Sequence, residues 1–438
     1  VVGIFFLIIA LLQFGYRGAQ RVHSEIPLWD FDSVYAAART WVYGVGHGQN
    51  PYDLPAVLAT WHNCGVFSHR DASYFATVYP PNSLCLMVPF AVLPAAVSML
   101  LWLALMLGLL VLQFAALVDL AELRLRDARV LILVGASLAS APFQFGILSG
   151  QLSLPAISLC IIAFWCASRN REALAGILLG LACALKPQIG VAFVAYYVLT
   201  RRWAVSGLAI VFSAAVVAVA LVAMRVSHID WFAGWTQSIA LTTQTGAVND
   251  YGWVNNLRDE IMDLKMLLIS GLHDTRTLRL AVEAVVLALG IWYMGVFRAV
   301  GKSGDDQLLV IGALSALSFL PVYHRVYDAA LLTTVFAWAL AELDGPRRRY
   351  AGVLLVPLAL FLVPFDVTSM VARRLPVLDR ISQTAFWQTL IAPNYAWGLL
   401  GITVVALVTM SRAFGRVPRA LPDGHEYMPS GARLNRGV

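Results

Sequence analysis

Three observations predict an all-α polytopic integral membrane protein. The 438 residues are 60% hydrophobic and 13% charged, with a mean hydropathy of +0.74. That is more apolar surface than a soluble fold can hide. Runs such as 96–118 and 207–226 are long enough to cross roughly 30 Å of hydrocarbon as helices. The alternation of membrane barrels is absent, and lipid cannot satisfy an unpaired backbone, so every span must be helical.

Thirteen apolar segments fall at 1–15, 82–95, 97–118, 130–148, 151–167, 173–186, 189–200, 205–227, 277–298, 307–322, 327–343, 351–365 and 394–411. Pro, Gly or charge clusters separate them, and several are too short to span alone, which leaves about twelve transmembrane helices. The chain opens on Val1 inside an apolar run, so a preceding cytoplasmic piece is expected, with the first helix kept as an uncleaved anchor. Orientation follows from Arg412, Arg416, Arg419, Arg433 and Arg436, which put the basic tail, 413–438, in the cytoplasm. Arg347-Arg348-Arg349, the stretch from Arg298 to Lys302 and Arg201-Arg202 then also fall inside. The segment 323–328 and the loop 228–276 fall outside, as does a third outer segment, 366–393. The first loop, 16–80, long and without dense Lys or Arg, is assigned outside as well.

An odd number of crossings must separate that loop from residue 201, yet six apolar segments lie between them. One of the six does not span by itself. The candidates are 82–95, bounded by prolines, and the pair 173–186 and 189–200, broken at Lys186-Pro187. Either the break joins two short helices at a polar cavity, or it kinks one span with Lys186 at depth. A single membrane domain over 1–438, without repeats or a soluble domain, is the expected organisation.

The net charge of +6 comes from Arg clusters at segment ends and reads as topology, not nucleic-acid binding. The five cysteines lack metal spacing, and neither disulfides nor zinc are expected. Polar chemistry concentrates at Trp29-Asp30-Phe31-Asp32 and the aromatic, proline-rich loop that follows. On a helix Asp30 and Asp32 diverge by about 200°, so only one of them faces a given cavity. That one is a candidate general base, although Asp30 could equally cap a helix starting near Asp32 or Ser33. Lys186, far from any charged loop, costs roughly 3 kcal/mol on insertion and needs an anionic partner, unless the proline brings it to an interface. His324-Arg325, within Pro321-Val322-Tyr323-His324-Arg325-Val326-Tyr327-Asp328, is a cation pair on the outer side. It runs against the charge rule and so points to phosphate contact; the alternative is an Arg325–Asp328 ion pair at helical spacing. Asn256 and Arg258 add an amide and a guanidinium in the second outer loop, while Gly150-Gln151 and Tyr52-Asp53 are weaker signals, commonly turn chemistry. One carboxylate and several cations on one face suit a lipid-phosphate substrate.

These motifs also form a series. Asp30-Phe31-Asp32-Ser33-Val34-Tyr35-Ala36-Ala37-Ala38-Arg39, Asn50-Pro51-Tyr52-Asp53, Tyr79-Pro80-Pro81 and Leu93-Pro94 resemble the opening of glycosyltransferase family 87. Gly150-Gln151, Gly180-Leu181-Ala182 leading into Lys186-Pro187-Gln188, Asn256-Leu257-Arg258 and the 321–328 segment continue the resemblance. It implies the membrane-embedded GT-C fold and an inverting transfer of a sugar, mannose by family, from a polyprenyl-phosphate donor to a lipid or glycan acceptor. It further implies Asp30 as the base, with Asp32 a competing acid. Donor or substrate contacts are expected from Lys186, Gln188, His324, Arg325, Arg258, Asn256, Tyr35, Arg39, Tyr52, Tyr79 and Gln151. No metal or other cofactor is expected, since cations would neutralise the leaving phosphate. A monomer in the inner or plasma membrane, its site on the extracytoplasmic face, completes the expectation. A lipid-linked glycan ligase and a transporter or flippase compete with it; the transporter should carry inverted repeats, which the sequence lacks.

Overall fold

The computed structural model describes residues 1–23, 28–44, 49–64, 75–269, 271–272, 275–300, 306–364 and 374–414. Among them the chain forms, in order, α1 (Val2–His23), α2 (Trp29–Gly44), α3 (Leu54–Asn63), α4 (Pro81–Ala91), α5 (Ala95–Leu120), α6 (Ala128–Ala139) and α7 (Ala141–Ser149). Then come α8 (Ser153–Ser168), α9 (Glu172–Leu185), α10 (Pro187–Leu199), α11 (Trp203–Val226), α12 (Trp231–Thr242) and α13 (Leu264–Leu268). The series closes with α14 (Thr275–Val300), α15 (Gln307–Phe319), α16 (Thr333–Glu342), α17 (Arg348–Ala359), α18 (Pro376–Ser382) and α19 (Asn394–Phe414). Strand-like pairing among the described residues is limited to one bridge between Ile261 and Arg325. The protein is an all-α polytopic membrane protein. The expected basic tail beyond Phe414 and the loop stretches 45–48 and 65–74 lie outside the described residues.

Five described helices, α1, α5, α11, α14 and α19, are long and apolar enough to cross a membrane, and a sixth if α6 and α7, bent by 58° at Ser140, count as one. α11 leaves Ile210, Val211, Val219 and Val222 exposed, as a lipid-facing helix should. α8, by contrast, is apolar on every side and buried along almost its whole length, which makes it the axis of the bundle.

The break at Lys186-Pro187 is a reversal rather than a kink. Lys186 is extended (φ −151°, ψ 90°), between the last residue of α9 and the first of α10. A Cβ added at Gly190 would lie 2.3 Å from Cys183 Sγ, an approach that two collinear helices could not make. At the far end of this hairpin Arg202, just past α10, bonds Glu172 at the start of α9 (2.8 Å) and the Ala167 carbonyl of α8 (2.7 Å). α4, only 11 residues long, lies across the hairpin tip. There Asn82 Nδ2 and Ser83 Oγ donate to the Ala184 and Leu185 carbonyls (2.6 and 2.9 Å), groups that the end of α9 leaves without helical partners. Of the segments between the first loop and residue 201, only α5 and the bent α6–α7 pair are long and apolar enough to cross; α4, α8, α9 and α10 are shorter apolar helices.

The bundle therefore has two unlike ends. One gathers surface arginines: Arg169 with Asp119, Arg202 with Glu172, Arg129 with Asp127, and Arg347 with Asp306. The other carries the hairpin tip, α2 and the loops 243–263 and 320–328.

Candidate active site

α2 starts at Trp29, so Asp30 and Asp32 both lie inside its first turn, and the helix does not begin near Asp32 or Ser33. The 200° between them sends the two acids to opposite fates. Asp30 lines a cavity of about 100 Å³ together with Tyr79, Gln151, Tyr323, Arg325 and Tyr327. Asp32 is 1% exposed, turned into the packing between helices, with neither carboxylate oxygen hydrogen-bonded. Burial, reinforced by the charge on Asp30, pushes the Asp32 carboxyl well up, which favours its neutral form. Gly150 fixes the register of α2 against the bundle. It sits at φ +66°, and a Cβ there would fall 2.8 Å from that of Phe31, so both the backbone and the space call for glycine.

Next to this left-handed turn, Gln151 Oε1 accepts from the Tyr79 hydroxyl (2.5 Å) and from the Leu152 amide (2.9 Å). Burial and then the charges of Asp30 and Asp328 raise the Tyr79 phenol well above its ordinary value, so it remains a donor. Tyr52 supports it from behind, donating its hydroxyl to the Tyr79 carbonyl (2.9 Å).

Lys186, 5% exposed, reaches from the hairpin tip to Asp328 Oδ1 (2.7 Å) and Ser153 Oγ (2.5 Å), with its Nζ 4.9 Å from the Tyr327 ring centre. Lys186 is buried within the protein rather than extended to its surface, and its anionic partner is Asp328. The other oxygen of Asp328 takes His324 Nδ1 (2.8 Å). His324 packs at a tilt against Phe319 (4.2 Å between ring centres), with Nε2 buried and without a hydrogen-bond partner. Burial lowers the imidazole's proton affinity more than Asp328 raises it, so the neutral ring that donates from Nδ1 is favoured. Lys186 and His324 thus stand behind the cavity wall rather than on it. Arg325 does face the cavity, and the alternative reading of it as the ion-pair partner of Asp328 does not hold. Arg325 bonds Glu260 (2.8 Å), the Tyr323 hydroxyl (2.7 Å) and the Val248 carbonyl (2.5 Å) instead.

The remaining expected contacts are dispersed. Arg39 donates to the Ala91 and Leu93 carbonyls (2.7 and 3.0 Å) and Tyr35 to Leu93 (2.8 Å), so both tie α2 to the end of α4 rather than lining the cavity. Gln188 is half-buried in the first turn of α10, away from it. Asn256 and Arg258 line a different cavity, of about 570 Å³, between the 253–259 loop and the 379–394 segment. Sequence reasoning missed Glu260, Ser153, Asn249 and Tyr327. Of these, Tyr327 was within reach, since it stands in the 321–328 motif beside Asp328. Among the described residues no group of three His, Cys, Asp or Glu side chains is placed to hold a metal ion.

Comparison with known proteins bears on this geometry. The family model described as glycosyltransferase family 87 matches residues 77–322, more than half of the chain. That stretch holds Tyr79, Gln151, Lys186 and Arg258, and stops short of Asp30 on one side and His324 on the other. A polyprenol-phosphate-mannose-dependent alpha-(1-2)-phosphatidylinositol mannoside mannosyltransferase of Mycobacterium tuberculosis is 29% identical over 299 residues. The alignment covers 66% of this chain and 64% of that relative. No solved structure matches.

Proposed function

The chain belongs to glycosyltransferase family 87, and on that premise we propose that it moves one sugar, mannose by analogy with the mycobacterial relative, from a polyprenyl-phosphate donor to a hydroxyl of a lipid or glycan acceptor. The reaction runs on the extracytoplasmic face with inversion. The observation that carries this reading is the placement of Asp30 and Arg325 on one aromatic-walled cavity. The acceptor oxygen attacks the anomeric carbon as the bond from that carbon to the phosphate oxygen breaks. Asp30 takes the hydroxyl proton, and the electron pair leaves with the polyprenyl phosphate. Arg325 and the hydroxyls of Tyr79 and Tyr327 are the donors at hand for the charge that develops there. Lys186, Asp328 and His324 act as positioning residues beneath Tyr327.

A second feature supports a lipid-borne donor. A groove of about 910 Å³ adjoins the cavity at Tyr323. Lys265, Arg276 and Arg279 line it together with Leu278, Val282 and Val286 of α14 and with Asp263 and Glu283. Cations and apolar side chains in one groove match a phosphate on a hydrocarbon chain.

The test is transfer by purified protein in lipid nanodiscs, given radiolabelled polyprenyl-phosphate mannose and membrane lipid extract. A product one sugar larger, of opposite anomeric configuration to the donor, is expected. Transfer of a whole glycan would make the protein a ligase, and inertness toward every polyprenyl-phosphate sugar would overturn the reading.

A further inference from the structure

The cavity around Arg258 lies apart from the Asp30 cavity, and its chemistry differs. Trp253 and Trp387 supply two indole faces, Asn256 and Gln388 amides, and Asp259 and Asp379 carboxylates. Arg258 is 2% exposed; its Nη2 donates to the Gln388 carbonyl (3.3 Å), while Nε and Nη1 are buried and make no hydrogen bond. Asp259 comes no nearer to Nε than 3.8 Å. A guanidinium taken out of water with two donor nitrogens unsatisfied is costly unless something arrives to accept from them.

We propose that this cavity binds a neutral saccharide, the glycan portion of the acceptor, with Arg258 donating to ring hydroxyls and Trp253 and Trp387 packing on sugar faces. Three features favour a sugar over a phosphate. Two carboxylates share the lining with one guanidinium, so the site offers no excess of positive charge. Amides and carboxylates together give the mixture of donors and acceptors that hydroxyl groups need. Indole rings suit the apolar faces of a pyranose and offer nothing to an inorganic anion.

Position links the site to the reaction. The single segment 248–263 walls both cavities: Val248 and Asn249 line that of Asp30, and residues 253–259 line this one. Asn255 pins the segment, donating to the Val248 and Asp250 carbonyls (3.1 and 2.7 Å). An acceptor holding several sugars here can present a further hydroxyl next door. The assignment to the acceptor rests on the transferase reading above, whereas saccharide binding can be tested without it.

Titration calorimetry on the full chain in nanodiscs, with mannotetraose, maltotetraose and inorganic phosphate as separate probes, tests the site. Saturable binding of a tetrasaccharide is expected, weakened about tenfold or more in Arg258→Gln and in Trp253→Ala, the loss of roughly one good contact. Trp253 is 55% exposed at a loop tip, so its removal spares the fold even if Arg258→Gln does not assemble. Binding of neither sugar, binding unchanged in Trp253→Ala, or phosphate binding in place of sugar overturns the proposal. In turnover, Trp253→Ala should lower the preference for oligosaccharide-bearing over monosaccharide-bearing acceptors about tenfold. Sugar binding without transfer from any lipid-linked donor would sink the catalytic reading alone; transfer without sugar binding would sink this site alone.

Discussion

Arg258 lies within the segment that walls both cavities and Arg325 bonds to it at Val248 and Glu260; both are buried, and they differ in what they are given. Arg325 meets a carboxylate, a phenol and a carbonyl at hydrogen-bond distance; Arg258 meets one carbonyl at 3.3 Å and the Asp259 carboxylate at 3.8 Å and keeps two nitrogens without a hydrogen bond. The difference separates a cation oriented by partners within the protein from one whose donors are mostly unused. Burial alone does not distinguish them, and sequence alone had placed both on one phosphate.

The largest effect that would break this comparison concerns the Arg325 side. Asp30→Asn should cost roughly 10²–10⁴ in transfer rate, the worth of a positioned base. Asp32→Asn, an amide in place of a buried neutral carboxyl, should stay within a few-fold of wild type. A radiolabelled transfer assay giving the opposite order would make Asp32 the base.

Next in size is stability. Arg325→Gln takes the buried cation away from Glu260 and Lys186→Met takes it away from Asp328, which keeps only His324 Nδ1; each should cost roughly 3–5 kcal/mol. Arg258→Gln removes one weak hydrogen bond and a long ion pair to Asp259 (3.8 Å) and should cost about 1 kcal/mol. Denaturation midpoints in the same detergent would compare them, and equal losses at 325 and 258 would erase the contrast.

The smallest effect lies at Asp263, on the same segment, which caps α13 through the Met266 amide (3.0 Å) and accepts from Tyr251. Burial raises its carboxyl from 3.8 to about 6. The folded state holds that proton more tightly than the unfolded chain. The stabilisation is therefore complete below pH 3.8 and is lost as pH rises through about 6. Thermal midpoints should fall over that window, and Asp263→Asn should flatten the fall; a wild-type slope in the variant would place the titration elsewhere.

Much of this was legible in the chain. Apolar run lengths gave the helical class, and a two-residue spacing was enough to say that Asp30 and Asp32 part company. Where α2 begins decided which of them faces the cavity, and that depends on how Phe31 packs against Gly150, a contact some 120 residues away in sequence. Lys186 announced that it needed a carboxylate, but Asp328 lies 142 positions on, and Glu260 lies 65 positions before Arg325. Spacing rules reach one helical turn. For the same reason the choice between hairpin and kink stayed open, since it turned on Gly190 meeting Cys183.

That hairpin also sets a depth. Gly176 and Gly180 of α9 pack against Leu208 and Phe212 of α11, a parallel register that brings Lys186 level with residue 218. α11 continues eight residues further to Val226, a climb of about 12 Å. The ammonium and its carboxylate, 6% and 2% exposed, thus lie below the end of α11 by more than the Debye length of about 8 Å in physiological saline. Added electrolyte should loosen an exposed pair such as Arg279–Glu283 while leaving Lys186–Asp328 as strong as before.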